Sequence, residues 1–254
     1  MESVRSQTFK DYEHLFIDGL STDGTKEMIS EYQKSDPKNI CFFHLEPTGI
    51  ADAMNYGIKM ARGKYIIHLH SDDYLHDRQV LQDVSDFLDI HDPDWTYSNE
   101  LWVNHSRKPS KIFFDHKIFH GGSKSALGRY LLKYFDYVRH QSVFIKKDVF
   151  DRFGPFDNKF EIAMDYEYWL RIKDRTKWIF FDQVVDCFRI HDNSVSTAPL
   201  GKINMNIDEM RAGKLYMNKV EFYIFRPTFK IIAKLISSIM EQVEFYRIFR
   251  NDLK

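Results

Sequence analysis

The stretch Lys64-Tyr65-Ile66-Ile67-His68-Leu69-His70-Ser71-Asp72-Asp73 decides how the chain is read. An apolar run rich in Ile, Tyr and Leu, with Gly63 before it and an acidic pair after it, predicts a buried strand ending in two carboxylates. In an open α/β sheet, ligands bind outside the carboxyl ends of the strands. Two adjacent aspartates there suit a hard divalent cation carrying a phosphorylated substrate, because Mg²⁺-type ions take one or two carboxylates plus phosphate oxygens. The plainer alternative is a loop of solvated aspartates ahead of the next helix. The stretch by itself is compatible with both.

Upstream, Glu13-His14-Leu15-Phe16-Ile17 predicts a short strand that closes on Asp18-Gly19-Leu20-Ser21-Thr22-Asp23-Gly24-Thr25. Ser, Thr and Asp are helix-cap residues and the glycines permit a tight turn, so a helix follows over about 26–34. Ile40 to His44 reads as the next strand. A second helix runs from the Glu46-Pro47-Thr48-Gly49 turn towards Gly63, with Ile50, Ala53, Met54, Gly57 and Ile58 at helical spacing. Asp52 and Asn55 share one of its faces; Asn55 is either a ligand contact or a side chain packed on a neighbouring loop. Three strands alternating with two helices over 13–73 predict a parallel, right-handed α/β sheet.

Downstream, Val80, Leu81, Val84, Phe87 and Leu88 mark an amphipathic helix over about 77–91. Trp95–Ser98 and Leu101–Val103 read as strands, the second as an antiparallel one. Residues 104–124 are basic and punctuated by glycine, the composition of a mobile loop over a site. His140–Ile145 predicts a strand, and a helix beginning near Asp165 puts a carboxylate in its first turn, where the helix dipole favours one even without a function. Trp178–Phe181 and Val184–Ile190 are two further strands, the second running into His191. From Met205 the chain reads as helical. Phe229, Ile232, Leu235, Ile236, Ile239, Met240, Val243 and Tyr246 form an apolar stripe flanked by Lys230, Lys234, Arg247, Arg250 and Lys254. Such a helix suits a membrane interface, or packs on its own domain or on a twin subunit.

The 254 residues, 43% hydrophobic and 29% charged, fit a globular protein of one large α/β domain or two small ones. A net charge of -1 hides local asymmetry and argues neither for nor against an anionic partner; no nucleic-acid partner is expected. Cys41 and Cys187 each lie in a strand-like run, which fits free thiols in a reducing cytosol better than a disulfide framework. No signal peptide is visible, and no apolar run approaches the roughly 18 residues of a spanning helix.

In order along the chain, Val-x-x-Gln-Thr-Phe, Phe-Ile-Asp-Gly-x-Ser-Thr-Asp-Gly-Thr, Gly-Ile-Ala-Asp-Ala-Met-Asn-x-Gly and Ala-x-Gly-x-Tyr-Ile-x-x-Leu-x-Ser-Asp-Asp, followed by His140-Gln141, Met164-Asp165-Tyr166-Glu167 and Arg189-Ile190-His191, resemble glycosyltransferase family 2. The match covers about residues 3–197. The resemblance implies an α/β GT-A fold, Rossmann-like, with a mostly parallel sheet flanked by helices. It divides the chain into a transferase domain over 1–200 and a helical extension over 201–254. It also implies that the family's first strand is missing upstream of Ser3, which would expose neighbouring strand edges.

The same resemblance implies a UDP- or GDP-sugar donor and Mg²⁺ or Mn²⁺. Asp18 would read the nucleobase, with Asp23, Asn55 and Asp72 also on the nucleotide. Asp73 would hold the metal, joined by His191, and Asp165 would be the catalytic base. His70 stands where many members have Asn or Asp. The expected reaction is inverting, metal-dependent sugar transfer to a glycan or lipid-linked acceptor in surface polysaccharide synthesis. The expected location is the cytoplasm, peripheral on the inner face of the membrane through the basic C-terminal helix, with a homodimer as a further expectation. Two alternatives differ in class: a catalytically impaired nucleotide-sugar-binding relative, and a sugar nucleotidylyltransferase.

Overall fold

A computed structural model describes residues 1–104, 109–113, 125–191 and 198–231, and of 109–113 only the backbone. The expected loop over a site in 104–124 and the stripe beyond residue 231 therefore lie largely outside the described residues.

The first half alternates as its apolar periodicity dictates. After the short helix α1 (Glu2–Arg5) come β1 (His14–Asp18), α2 (Thr25–Ser35), β2 (Ile40–His44), α3 (Ile50–Met60), β3 (Tyr65–Ile66), β4 (Tyr74–Leu75) and α4 (Val80–His91). In α3 the buried residues Ala51, Met54 and Ile58 form one stripe, and in α4 Val80, Val84 and Leu88 form another, each the core-facing line of an amphipathic helix. Gly49, at φ +128°, starts α3 from a backbone region closed to side-chain-bearing residues.

The second half is β5 (Trp95–Val103), β6 (Pro109–Phe113), α5 (Ala126–Leu132), a 3₁₀ turn (His140–Ser142), β7 (Val143–Lys146), α6 (Lys147–Phe153), α7 (Met164–Ile172), β8 (Trp178–Arg189) and α8 (Pro199–Tyr216), followed by a π-helical turn at Glu221–Phe225. The two strands expected over 95–103 are one, as are the two over 178–190. The polar residues between them are absorbed by shifts of register at Ser98–Glu100, where β5 runs parallel to β8. His140–Ser142 is a 3₁₀ turn in place of the start of a strand.

The strands form two sheets. β1 and β2 pair in parallel, and a six-stranded sheet runs β3-β7-β5-β8-β4 with β6 also on β5. The two longest pairings, β1–β2 and β5–β8, are parallel as expected. The shorter pairings β3–β7, β4–β8, β5–β6 and β5–β7 are antiparallel, so the larger sheet is mixed. β3 stops at Ile66, short of the expected Leu69, because only Tyr65 and Ile66 find a partner in β7.

Among the described residues no strand joins β1 to β3. Both border a cavity of about 880 Å³, which is also lined by Met54 and Gly57 of α3 and by Val84 and Leu88 of α4. The principal core begins at the wall of this cavity, where Met54, Ala61 and Ile66 belong to it, and continues into the larger sheet. There Trp95 stacks between Trp169, at 5.1 Å, and Trp178, at 4.8 Å, and all three are at most 1% exposed. Each indole N–H is satisfied, donating to Thr176 Oγ1, the Val138 carbonyl and the Lys173 carbonyl respectively. Ala212 of α8 belongs to this core, and Met205, Tyr216 and Phe229 pack against it, so the helical extension is docked on α7. Cys41 on β2 and Cys187 on β8 are both free.

Candidate active site

The acidic turn is held by strand pairing. β4, directly after Asp73, is antiparallel to β8 with Tyr74 opposite Cys187, and this register brings Asp72 and Asp73 beside the end of β8. The Arg189 amide donates to Asp73 Oδ1 at 2.9 Å, and His191 Nε2 lies 2.6 Å from Asp72 Oδ2. Asp73 is 7% exposed and its Oδ2 is buried with no hydrogen-bond partner. Burial pushes its carboxyl up to about 7, assisted by the charges of Asp72 and Glu100 and opposed by the Arg189 amide.

Asp165 comes from the first turn of α7. The loop before it is tied to α8, whose buried Asp208 carboxylate accepts from the amides of Ile162 at 2.9 Å and Ala163 at 3.4 Å. Asp165 Oδ1 accepts from the Tyr166 amide at 2.8 Å, and Oδ2 lies 2.8 Å from His140 Nδ1. Burial by itself would raise this carboxyl, but the His140 hydrogen bond and charge, with the Arg139 guanidinium, hold it below its ordinary range. His140 Nε2 in turn lies 2.7 Å from His70 Nε2, on the segment leading to the acidic turn. A continuous polar chain therefore runs from the neighbourhood of Asp72 and Asp73 to Asp165.

The floor beneath this chain is acidic. Glu100 of β5 and Asp186 of β8 are opposite each other in the parallel register. Glu100 accepts from the Trp102 indole through Oε1, whereas its Oε2 and both oxygens of Asp186 have no hydrogen-bond partner. Burial raises both carboxyls, and the mutual repulsion of Glu100, Asp186 and Asp73 raises Asp186 further. Asp136, paired with Arg139 at 3.1 Å, is pushed by burial up to about 7. A cluster of buried carboxyls with Arg139 and His140 as its counterweights favours a further cation or bound protons.

The structure thus brings together three pairs: Asp72 with His191, Asp73 with the end of β8, and Asp165 with His140. The other sequence candidates are placed elsewhere. Asn55 is occupied structurally, its amide donating to the Phe156 carbonyl at 2.9 Å and its carbonyl accepting from the Phe156 amide at 3.0 Å. Of its two open readings the structure shows the packed loop contact, which uses one amide N–H and one carbonyl lone pair. Asp23 is exposed and accepts from the amide and hydroxyl of Thr25. Asp18 ends β1 in the smaller sheet, where Ser21 and His44, at 2.6 Å, engage both its oxygens and outweigh burial to hold its carboxyl low.

Glu100, Asp136, Arg139, Asp186 and Asp208 were not among the sequence candidates. Glu100 and Asp186 carried a usable signal, since a lone acid within an apolar strand is costly to bury without a purpose. Among the described residues no three His, Cys, Asp or Glu side chains are arranged to hold a metal by themselves. The orphaned Oδ2 of Asp73 nonetheless fits a divalent cation of the kind that takes one or two carboxylates and completes its shell with phosphate oxygens and water.

Residues 1–150 match the profile of the family described as glycosyl transferase family 2. The chain is 26% identical over 172 residues to a PGL/p-HBAD biosynthesis glycosyltransferase of Mycobacterium bovis, covering 67% of this chain and 62% of that protein. The chain thus spans less than two thirds of that relative. It is 28% identical over 197 residues to UDP-Glc:alpha-D-GlcNAc-diphosphoundecaprenol beta-1,3-glucosyltransferase WfaP of Escherichia coli, covering 77% of this chain and 72% of WfaP. Among solved structures it is similar to S. aureus TarS 1-349 in complex with UDP, with TM-score 0.60 and 16% identity over 88% of this chain and 67% of that one. It is also similar to the mannosyltransferase PcManGT of Pyrobaculum calidifontis in complex with GDP-Man and Mn2+, with TM-score 0.60 and 15% identity over 85% of this chain and 59% of that one. These structures share the GT-A fold.

Proposed function

The chain belongs to glycosyl transferase family 2, and on that premise we propose that it moves a sugar from a nucleoside-diphosphate sugar to a hydroxyl of a glycan or lipid-linked acceptor, with inversion at the anomeric carbon. The observation that carries this reading is the pairing of a buried, half-satisfied Asp73 at one end of a polar chain with an ionised Asp165 at the other. Asp73 would hold Mg²⁺ or Mn²⁺ on the donor diphosphate, with the Asp72–His191 pair beside it. A cation there supplies Lewis-acid stabilisation of the leaving diphosphate. Asp165 takes the proton of the acceptor hydroxyl as that oxygen attacks, which a low-lying carboxylate can do when held within hydrogen-bond reach. Attack from the face opposite the leaving group gives inversion. Asp18 lies on the nucleobase side of this scheme, with His44 as its partner. The WfaP and TarS likenesses support a nucleotide-sugar donor, and WfaP, by its name, acts on a lipid-linked acceptor.

Titration of UDP- and GDP-sugars with and without Mn²⁺, followed by an assay for nucleoside diphosphate, tests the reading. Metal-dependent binding with diphosphate release is expected. Binding without release identifies a nucleotide-sugar-binding relative, a second reading that the open gap between β1 and β3 favours.

No helix among the described residues is long and apolar enough to cross a membrane. Leu200, Ile203, Ile207 and Met210 nevertheless form an exposed ridge on α8, at 46–69% exposure. We assign this ridge to peripheral contact with the membrane that carries a lipid-linked acceptor. Flotation with anionic vesicles tests it, and a concentration-dependent dimer without flotation would reassign the ridge to a second copy.

A further inference from the structure

We propose that His140 is a positioning residue for Asp165 and that His70 holds His140 in the tautomer that this role needs. The inference rests on the reading of Asp165 as the base.

An ionised carboxylate only accepts hydrogen bonds, so the 2.8 Å contact between Asp165 Oδ2 and His140 requires a proton on Nδ1. A ring with that single proton presents a bare lone pair at Nε2. His70 Nε2 sits 2.7 Å from it, with the two rings nearly perpendicular at 87°. Two bare nitrogens do not approach this closely, so one proton lies between them. Supplied by His70 Nε2–H, that proton leaves His140 Nδ1–H with Asp165 as its partner. This is the arrangement in which one ring nitrogen's partner fixes what the other can do.

The backbone beneath His140 is locked independently. Its 3₁₀ turn is tied to β5 by reciprocal bonds, Ser98 Oγ to the Ser142 carbonyl at 3.0 Å and Ser142 Oγ to the Ser98 carbonyl at 3.1 Å. A ring fixed at both ends and at its root sets the rotamer of the Asp165 side chain. With Tyr166 N–H on Oδ1 and His140 on Oδ2, the remaining lone pairs of the carboxylate point in one defined direction.

The charges around His140 come from every element packed on it. Asp165 on α7, Glu100 on β5, Asp73 in the acidic turn and Asp136 in the preceding loop are acidic. Arg139 is the adjoining cation, and His70 and His68 are neutral neighbours. Asp165 therefore sits among like charges with His140 and Arg139 as its counterweights. Removing His140 leaves a buried carboxylate short of a partner, so protons bind it more readily and the base is neutralised at higher pH.

The test combines spectroscopy with kinetics on the full chain. In ¹⁵N-histidine-labelled protein without substrate, the His140 Nδ1-bound proton should resonate far downfield and lose that position in Asp165→Asn. An unchanged resonance would overturn the contact, whatever the reaction proves to be. In kinetics, His140→Ala should lower kcat roughly tenfold or more, leave the donor KM within about twofold, and move the acidic limb of the kcat–pH profile up by about one unit. His140→Asn, whose amide N–H reaches the Nδ1 position, should restore most of kcat. His70→Phe should shift the acidic limb in the same direction but less. Wild-type kcat and acidic limb in His140→Ala, or no rescue by a folded His140→Asn, would overturn the proposal. Full turnover by Asp165→Asn would instead remove the base reading, with the resonance still judging the pair. Should His140→Ala fail to fold, His70→Phe carries the kinetic arm, and a wild-type acidic limb in that variant would overturn the proposal.

Discussion

The two sheets of this molecule are built to different standards. Around β5 and β8 the core is closed: Trp95, Trp169 and Trp178 are stacked, their N–H groups are satisfied, and helices α7 and α8 are bonded together through Asp208. Around β1 and β2 the pairing is only five residues long, both outer strand edges are unpaired among the described residues, and a cavity of about 880 Å³ separates the pair from β3. Asp165 and His140 stand on the closed side, whereas Asp18 and Asp23 stand on the open one. The difference teaches that Asp165 and its partners are held in place by the fold itself, while the region around Asp18 has little packing to fix its geometry. Under the proposed function the first would be the acceptor side and the second the nucleotide side.

The sharpest way to break this division is at Asp165. Asp165→Asn preserves an acceptor for the Tyr166 amide and removes the base, so turnover should fall by about 10²–10⁴-fold. Nucleotide-sugar affinity, measured by calorimetry, should stay within about twofold, because binding belongs to the other region. Equal losses of binding and turnover would show that the two regions do not work separately.

Packing separates them next. Trp178→Ala opens a void in a core with no slack, and should cost about 3–5 kcal/mol by denaturant titration. Met54 is also buried, at 7% exposure, but borders the cavity. Met54→Ala enlarges an existing space, so its cost should lie near the lower end of the range for such changes, about 2 kcal/mol. Comparable costs would mean that the gap beside β1 is closed in solution.

Much of this contrast was legible in residues, and the illegible part has physical causes. The strand–helix alternation over 13–60 follows from short apolar runs and period-3.6 apolar patterns and appears as expected. The expected Ser, Thr and Asp caps do not: Gly24 and Gly49 stand at the starts of α2 and α3 with no side-chain cap bond. The acidic pair does not end β3, which stops at Ile66; Asp72-Asp73 instead directly precedes the two residues of β4 that lock onto β8. Pairing partners are set by contacts remote in sequence, so the antiparallel ladders of β7 and β4 were not legible, nor was the fusion of two apparent strands into β5. Asn55 illustrates the same limit, since the Phe156 backbone that claims its amide lies 101 residues away. His140 stood in a recognised motif, yet its meaning emerged only when the turn at 140–142 set it between Asp165 and His70.

Acid should separate the regions with the smallest effect, through His14 on β1. Burial pushes its imidazole down to about 4, and its Nδ1 has no hydrogen-bond partner. Because the folded value lies below the unfolded value of 6.5, the unfolded chain binds more protons between pH 6.5 and 4. Stability is therefore lost as pH falls through that window and is intact above it. The 2.5-unit gap bounds the loss at about 3 kcal/mol, and local opening of β1 reduces what global unfolding registers. Native-state hydrogen exchange at pH 7 and pH 5 should show amides of β1 and β2 losing protection while those of β5 and β8 hold theirs. His14→Phe, which stays buried without a titrating group, should flatten that response. A uniform loss across both sheets would mean that the two-stranded sheet is energetically continuous with the rest, and that the open edge of β1 is no weaker than the closed core.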